Sequence, residues 1–386
     1  MKVKALAEIC DIVVGRTPAR ADTSMWGVGH SWLSIADMSQ GQLITRTKEE
    51  ITDAGARTGR RVEVGTVLLS FKLSIGKVAI AGIPLYTNEA IAALKVRDNH
   101  GLEPRYLMRA LQAMDLDGDA NRAAMGATLN KAKLAGIMVP IPTIGKQRRI
   151  AAILDQADAL RVKRRQVLAH LDTLIQSTFH DMFGDLMYAG TGVRFGDIAS
   201  LVGGRSLVAD DAAADSEYRV LKISAVTSGQ FDPEESKALP PGYKPPEAHL
   251  VHPGELLMSR ANTTDLVGAV AYVRACPSNL ALPDKIWRFV WRDSRSVPLF
   301  YHALFGTPAV REKIGRLASG TGGSMKNVSK EKLSSLELPD VGFDLQERFA
   351  QRAEVVSQNR AAFAALHELD HALFTSLQAR AFRDEL

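Results

Sequence analysis

Cysteine is nearly missing from this 386-residue sequence; Cys10 and Cys276 are the whole complement. Two thiols so far apart offer neither a disulfide framework nor metal-ligand spacing, and they suit a reducing compartment, so a cytoplasmic location is expected. Long apolar runs are missing too. None approaches the roughly 20 residues of a membrane helix, so no membrane partner is expected. The opening stretch MKVKALAEICDIVVG has a charged start but no clear apolar core followed by a small-residue cleavage site. It reads as the first element of a domain rather than a signal peptide. Catalytic motifs are likewise wanting. No Gly-x4-Gly-Lys-Ser/Thr loop occurs, because Gly76-Lys77 is followed by Val78 and lacks the upstream glycine. No Asn/Asp-Pro-Pro-aromatic run appears, no Pro-Asp step is followed by a Glu/Asp-x-Lys triplet, and the nine histidines form no His-Glu-x-x-His. Together these absences leave no candidate active site, and the chain is read as non-catalytic.

What is present is a globular composition, 46% hydrophobic and 24% charged, with a net charge of +5. That modest basic excess permits nucleic-acid binding without requiring it. The most informative feature is self-similarity at a long period. Gly15-Arg16 and Gly204-Arg205 lie 189 residues apart, and Gly41-Gln42-Leu43 matches Gly229-Gln230-Phe231 at 188. VEVGTVLLS (62–70) matches VHPGELLMS (251–259) at 189, while IMVP (137–140) matches LELP (336–339) and Gln147 matches Gln346 at 199. Collinear matches with so little drift indicate a tandem duplication: globular unit, helix, globular unit, helix.

Residues 146–181 and 345–380 contain no glycine or proline. Apolar positions recur at near-heptad spacing, through Ile150, Leu154, Ala157, Leu168, Leu171 and Ile175 in one and Phe349, Val356, Phe363 and Leu377 in the other. A helix of ~36 residues spans ~54 Å and needs a partner for its stripe. The other helix of the same chain, running antiparallel, is the simplest one. Arg164, Asn359 and Asp370 interrupt the stripes, either as solvated edge positions or as groups that fix register. Short strands are expected at 66–70, 77–80, 255–258 and 267–273, and helices at 104–114 and 297–317.

These residues resemble the specificity subunit of type I restriction-modification systems, over essentially the whole chain. KQRRIAAILDQADALRVKRRQVLAHLDTLIQSTFHDMFGD (146–185) is similar to the family's central helix, and GRTPARADTSMWG (15–27) resembles its opening motif. LLSFKLSIGKVAIAGIPLYTNEAIAAL (68–94) and GATLNKAKLAGIMVPIP (126–142) also look like family segments. The second half departs from the pattern: Arg205 is followed by Ser206-Leu207, and Pro283-Asp284-Lys285 stands where the first half has Asn88-Glu89-Ala90. The resemblance implies an α+β fold in which two similar target recognition domains are separated by two long antiparallel coiled-coil helices, with pseudo-two-fold symmetry. The expected parts are recognition domain 1 at 1–143, a central helix at 144–184, recognition domain 2 at 185–340 and a distal helix at 341–386. The resemblance further implies that each domain reads one half of a bipartite double-stranded DNA sequence, and that two modification (methyltransferase) subunits dock on the helices. Restriction subunits join in some complexes. No cofactor is expected on this chain; S-adenosylmethionine belongs to the modification subunits, and ATP and Mg to the restriction subunits. The rival reading is a helical scaffold that binds only proteins, without reading sequence.

Arg and Lys suit phosphates and guanine edges, while Asn and Gln suit adenine edges. Candidate DNA contacts in the first domain are Arg16, Arg20, Ser70, Lys72, Lys77, Asn130 and Lys131; in the second they are Arg205, Ser259, Arg260, Asn262, Thr263, Thr264, Lys326 and Asn327. SRANTTD (259–265) is the richest single loop. A solvated surface role is the plain alternative for each. The loops 126–131 and 320–327 read either as phosphate cradles or as flexible connections. Trp26, Trp32, Trp287 and Trp291 read as packing residues ahead of base-stacking ones, and Gly15 and Gly204 as tight turns. The helix cations Arg161, Arg164 and Arg165 face solvent, DNA or a docked subunit.

Overall fold

A computed structural model describes residues 2–97, 101–116, 121–123, 126–188, 192–206, 216–320, 325–383 and 385–386. The chain divides into two compact units, residues 1–165 with 365–386, and residues 166–364. Each long helix therefore contributes to both units.

In the first unit a five-stranded sheet runs in the order Cys10–Val14, Ile91–Val96, Val67–Ser70, Val78–Ala81, Leu43–Ile44. All neighbours are antiparallel except the last pair. The two strands VLLS and VAIA are buried throughout, so they read as unbroken apolar runs. Period-two alternation survives inside the runs. Val67, Leu69, Val78 and Ile80 enter one core with Tyr106, Leu107 and Leu111 of the Pro104–Gln112 helix. Leu68, Ala79 and Ala81 enter another with Leu33, Ile44 and Leu85. A second, three-stranded sheet joins Glu49–Ile51, Trp26–Leu33 and Tyr86–Thr87.

The second unit repeats this plan. Its sheet runs Ala199–Gly203, Ile286–Trp291, Leu256–Ser259, Val270–Tyr272, and its smaller sheet Ser236–Ala238, Arg219–Leu221, Leu280–Ala281. Leu256, Met258, Val270, Trp287 and Phe289 face one core, and Leu257, Ala271 and Ile286 the other. In both units a two-stranded ribbon ties the beginning of the globular body to its end, Lys2–Ala5 with Met138–Ile141 and Gly192–Arg194 with Glu337–Pro339. A long helix follows each ribbon, and the tandem repeat read from sequence is a repeat of topology.

The long helices span Ile144–Phe183 and Phe343–Phe382, 40 residues and about 60 Å each. In the first unit, Ile150, Ala151 and Leu154 share a core with Phe374 and Ala381. In the second, Phe179 and Phe183 stack against Phe300 and Phe349. Within each unit the early part of one helix thus meets the late part of the other, which is antiparallel pairing. Arg164 Nε lies 2.6 Å from Asp370 Oδ2, with the two side chains only 19% and 17% exposed. This pair is thus shielded between the helices rather than a solvated edge, which favours the register-fixing reading of these positions. Asn359 is exposed and donates to Val355 O one turn back, so there the solvated reading holds. Arg161 lies over Phe374 at 4.4 Å and 3.5 Å from Asp158, so it too is engaged within its own unit.

The single helix expected over 297–317 is two helices, Pro298–Gly306 and Pro308–Leu317. Pro308 has no N–H and forces the residue before it out of the helical region. Thr307 accordingly takes φ −67°, ψ 143°, and its hydroxyl accepts from Val310 N to cap the next helix.

Candidate nucleic-acid interface

In the second unit the strand Leu256–Ser259 delivers the chain into residues 260–266, at the edge shared with two other segments. Arg260 N donates to Lys285 O at 3.0 Å, and Val328 N donates to Arg260 O at 3.0 Å. Next, Ala261–Asn262 pairs with Lys326–Asn327, Ala261 facing Asn327 and Asn262 facing Lys326. Two candidate segments some sixty residues apart in sequence are therefore zipped into one surface. Ser319 and Asn327 exchange backbone hydrogen bonds at 2.8 and 2.9 Å; residues 321–324 between them lie outside the described set. Arg205 joins the same edge through a bridge to Pro283.

This surface is cationic. The Arg260 guanidinium and the Lys330 ammonium lie 5.8 and 5.6 Å from the ring of Trp287, which is itself buried. Arg205, Arg260, Lys326 and Lys330 have no carboxylate partner among the described residues. Thr263 and Thr264 are exposed, and Asn262 Oδ1 accepts from Thr263 N at 2.8 Å. Arg311 holds the loop from behind, donating through Nη2 to Asp265 O at 2.7 Å.

The first unit builds the same edge from other residues. Phe71 stands where the second unit has Arg260, since Phe71 N donates to Ala90 O and Leu129 N to Phe71 O. Asn130 caps the Lys131–Ala135 helix, its Oδ1 accepting from Lys133 N at 2.8 Å. Arg16 and Lys131 are exposed, and Lys72 is half-buried with its ammonium 5.4 Å from the Phe71 ring. Here acids intrude. Thr17 donates to Glu89 and holds its carboxyl below the usual range, with Lys72 and Arg20 adding to the effect.

Several candidates are reassigned by their contacts. Ser70 and Ser259 are fully buried and turn their hydroxyls to Ser74 O and Leu266 O, so they shape their loops. Lys77 donates to Ser39 Oγ at 2.8 Å, which pins it across the loop. Arg20 grips Glu49 with both terminal nitrogens and stacks on Trp26 at 3.8 Å. That hydrogen bond raises the guanidinium pKa and lowers the carboxyl's. Gly15 and Gly204 are not turn formers. A Cβ at Gly15 would lie 2.2 Å from Thr87 O, and one at Gly204 1.7 Å from Leu282 O, so both permit close approach of two backbones. Trp32 and Trp287 are buried packing residues, and Trp26 and Trp291 are half-buried. The side chains of residues 126–128 lie outside the described set. Lys330 and Arg311 escaped sequence reasoning. For Lys330 the signal was there: it matches Lys131 at the same offset of 199 as the ribbon strands. For Arg311 there was none.

Among the described residues no group of three or more His, Cys, Asp or Glu is placed to hold a metal, and no helix is long and apolar enough to cross a membrane.

Residues 1–170 match the family of the type I restriction modification DNA specificity domain. The chain is 26% identical over 190 residues to the MjaIX specificity subunit of Methanocaldococcus jannaschii, covering 47% of this chain and 44% of that one. It is 24% identical over 297 residues to the EcoKI specificity subunit of Escherichia coli K12, covering 68% and 61%. Residues 1–170 are thus similar to the type I DNA specificity domain. Each of these alignments spans less than two thirds of the relative's own length. The S subunit structure from M. genitalium superposes with a TM-score of 0.62 at 11% identity, over 99% of this chain and 96% of that one. A second type I structure gives 0.62 at 15% identity over 100% and 98%. These likenesses show that the fold shared with those structures continues past residue 170 through the second unit.

Proposed function

We propose that this chain supplies the DNA address of a type I restriction-modification complex. Each globular body reads one half of a bipartite, asymmetric double-stranded target, and the chain itself catalyses nothing. The observation that carries the reading is one fold used twice with unlike edges. Where the first unit has buried Phe71 and Ala90, the second has the cations Arg260 and Lys285 in the same backbone positions. A fold repeated for structure alone has no need of different loop chemistry, whereas two readers of unlike half-sites do. Backbone positioning falls to the unpaired cations and base reading to loop groups such as Asn262, Thr263 and Thr264.

Two modification subunits are the proposed protein partners. Leu366, Leu369 and Leu373 are 43%, 65% and 53% exposed at helical spacing, and Leu174 and Val355 are exposed as well. Apolar helix faces left open to this degree fit a docking role. S-adenosylmethionine would sit on those subunits, and ATP and Mg on restriction subunits where they are present. The test is selection from randomised duplex DNA by the chain assembled with its modification subunits. Two short fixed blocks around an unspecified spacer are expected. Enrichment of no sequence would favour the protein-only scaffold and defeat the proposal.

A further inference from the structure

The second unit contains a cavity of about 660 Å³ bordered by both long helices, by residues 227–231 and by Arg311. The first unit shows why it is there. In that unit Gln112 ends the Pro104–Gln112 helix; its Nε2 donates to Val78 O at 3.3 Å, and its Oε1 accepts from Arg109 Nη1 at 3.1 Å. A side chain thus plugs the space between helix and sheet. The register of the equivalent helix is fixed by matching glutamines, Gln147 accepting from Glu103 N at 2.8 Å and Gln346 from Val297 N at 3.1 Å. In that register Gly306 takes the place of Gln112. Val270 takes the place of Val78, since it pairs with Met258 as Val78 pairs with Leu69. Gly306 and Val270 both line the cavity, so the repeat has lost its plug.

The vacated space has one charged corner. Arg311 spends Nη2 on Asp265 O, and its Nη1 is buried with no hydrogen-bond partner among the described residues. The other cations on the wall are neutralised, Arg274 by Glu354 and Arg360 by Asp172. Burial pushes the His302 pKa down, which keeps that ring neutral. Asp265 also lines the cavity and favours the charged Arg311, but burial outweighs it, and the unpartnered Nη1 lies next to the apolar side chains of Leu266, Val270 and Phe305. A buried guanidinium N–H without an acceptor is costly and is relieved most effectively by an anionic one. The volume falls within the roughly 300–1,000 Å³ of small-molecule sites.

We propose that this cavity binds a small organic monocarboxylate, with the carboxylate on Arg311 Nη1 and the hydrocarbon body against Leu266, Val270 and Phe305. The site is independent of the DNA reading. Thermal unfolding of the full chain with millimolar benzoate, against benzamide of the same shape, tests it. Benzoate is expected to raise the Tm and to protect the amides of residues 265–268 from hydrogen exchange; benzamide is expected to do neither. Gly306→Gln restores the plug and should abolish the benzoate shift. Its Cβ would lie 3.0 Å from Gln176 Nε2, the mobile end of a side chain, so the substitution can be accommodated. Arg311→Met should abolish the shift as well. The wild-type protein decides even if both variants fold poorly: no response to benzoate, or an equal response to benzamide, overturns the proposal. An undiminished shift in a folded variant overturns it too.

Discussion

Arg109 offers the sharpest test of how the first globular body is held on its helix. The side chain is 1% exposed, and its Nε and Nη2 donate to Asp155 Oδ1 at 2.9 and 2.8 Å. Asp158 Oδ2 lies 3.6 Å from Nη2. Removing one member of such a pair strands the other's charge away from water and costs about 3–5 kcal/mol, whereas replacing both with apolar groups of similar size is close to neutral. Arg109→Ala should therefore cost about 3–5 kcal/mol, and Arg109→Met with Asp155→Leu far less. Asp158 would keep Arg161 at 3.5 Å and the Gln42 amide in that double variant. Urea unfolding gives the total. Hydrogen exchange of the Pro104–Gln112 helix gives the local loss, which matters because the chain has two units and need not melt as one. A single-variant loss below about 1 kcal/mol, as for a surface pair, would refute the reasoning. So would additivity of the two substitutions, since a true pair couples.

Burial pushes the Cys10 thiol up to about 12 and raises that of Cys276 as well, so both should resist alkylation at pH 8 in the folded chain. Cys276, which is only half-buried, should label first, and prompt labelling of native Cys10 would contradict its placement. His302 is held neutral by burial while the unfolded side chain titrates near 6.5. Its folded pKa is the lower one, so protons bind the unfolded state in preference. Stability should be flat above pH 6.5 and fall below it, and His302→Gln should flatten that slope, as acid unfolding midpoints would show. Gly204→Ala would drive a methyl into Leu282 O and should destabilise the second unit by about 2 kcal/mol or more, measured by chemical denaturation; a neutral effect would mean that the two backbones are further apart.

The long helices were legible because their apolar positions recur at one spacing over many turns without glycine or proline. The strands VLLS and VAIA were legible for a different reason. Burial on both faces makes them short apolar runs bounded by turn residues, and the structure starts each within a residue of the sequence reading. The smaller sheets were invisible. Tyr86–Thr87 is two residues long and pairs in parallel with a strand more than fifty residues earlier, and nothing local encodes such a partner. Side-chain identity likewise shows what a group can bond, but not what it has already bonded. Ser70, Lys77 and Arg20 carry the right donors for DNA and use them inside the domain. Arg260 and Asn262 were read as loop residues, whereas Asn262 lies in a two-residue strand whose pairing unites this segment with Lys326 and Asn327. Pro308 was in plain view, yet the apolar pattern on either side of it outweighed the break it imposes.

Modular reading by two unlike domains is tested most directly by exchanging one of them. Residues 1–143 would be replaced with the equivalent part of another specificity subunit, and the adenine-methylation motif of cells carrying the hybrid complex sequenced. One half of the motif should change while the other half and the spacer stay as they were. A change in both halves, or in neither, would contradict it.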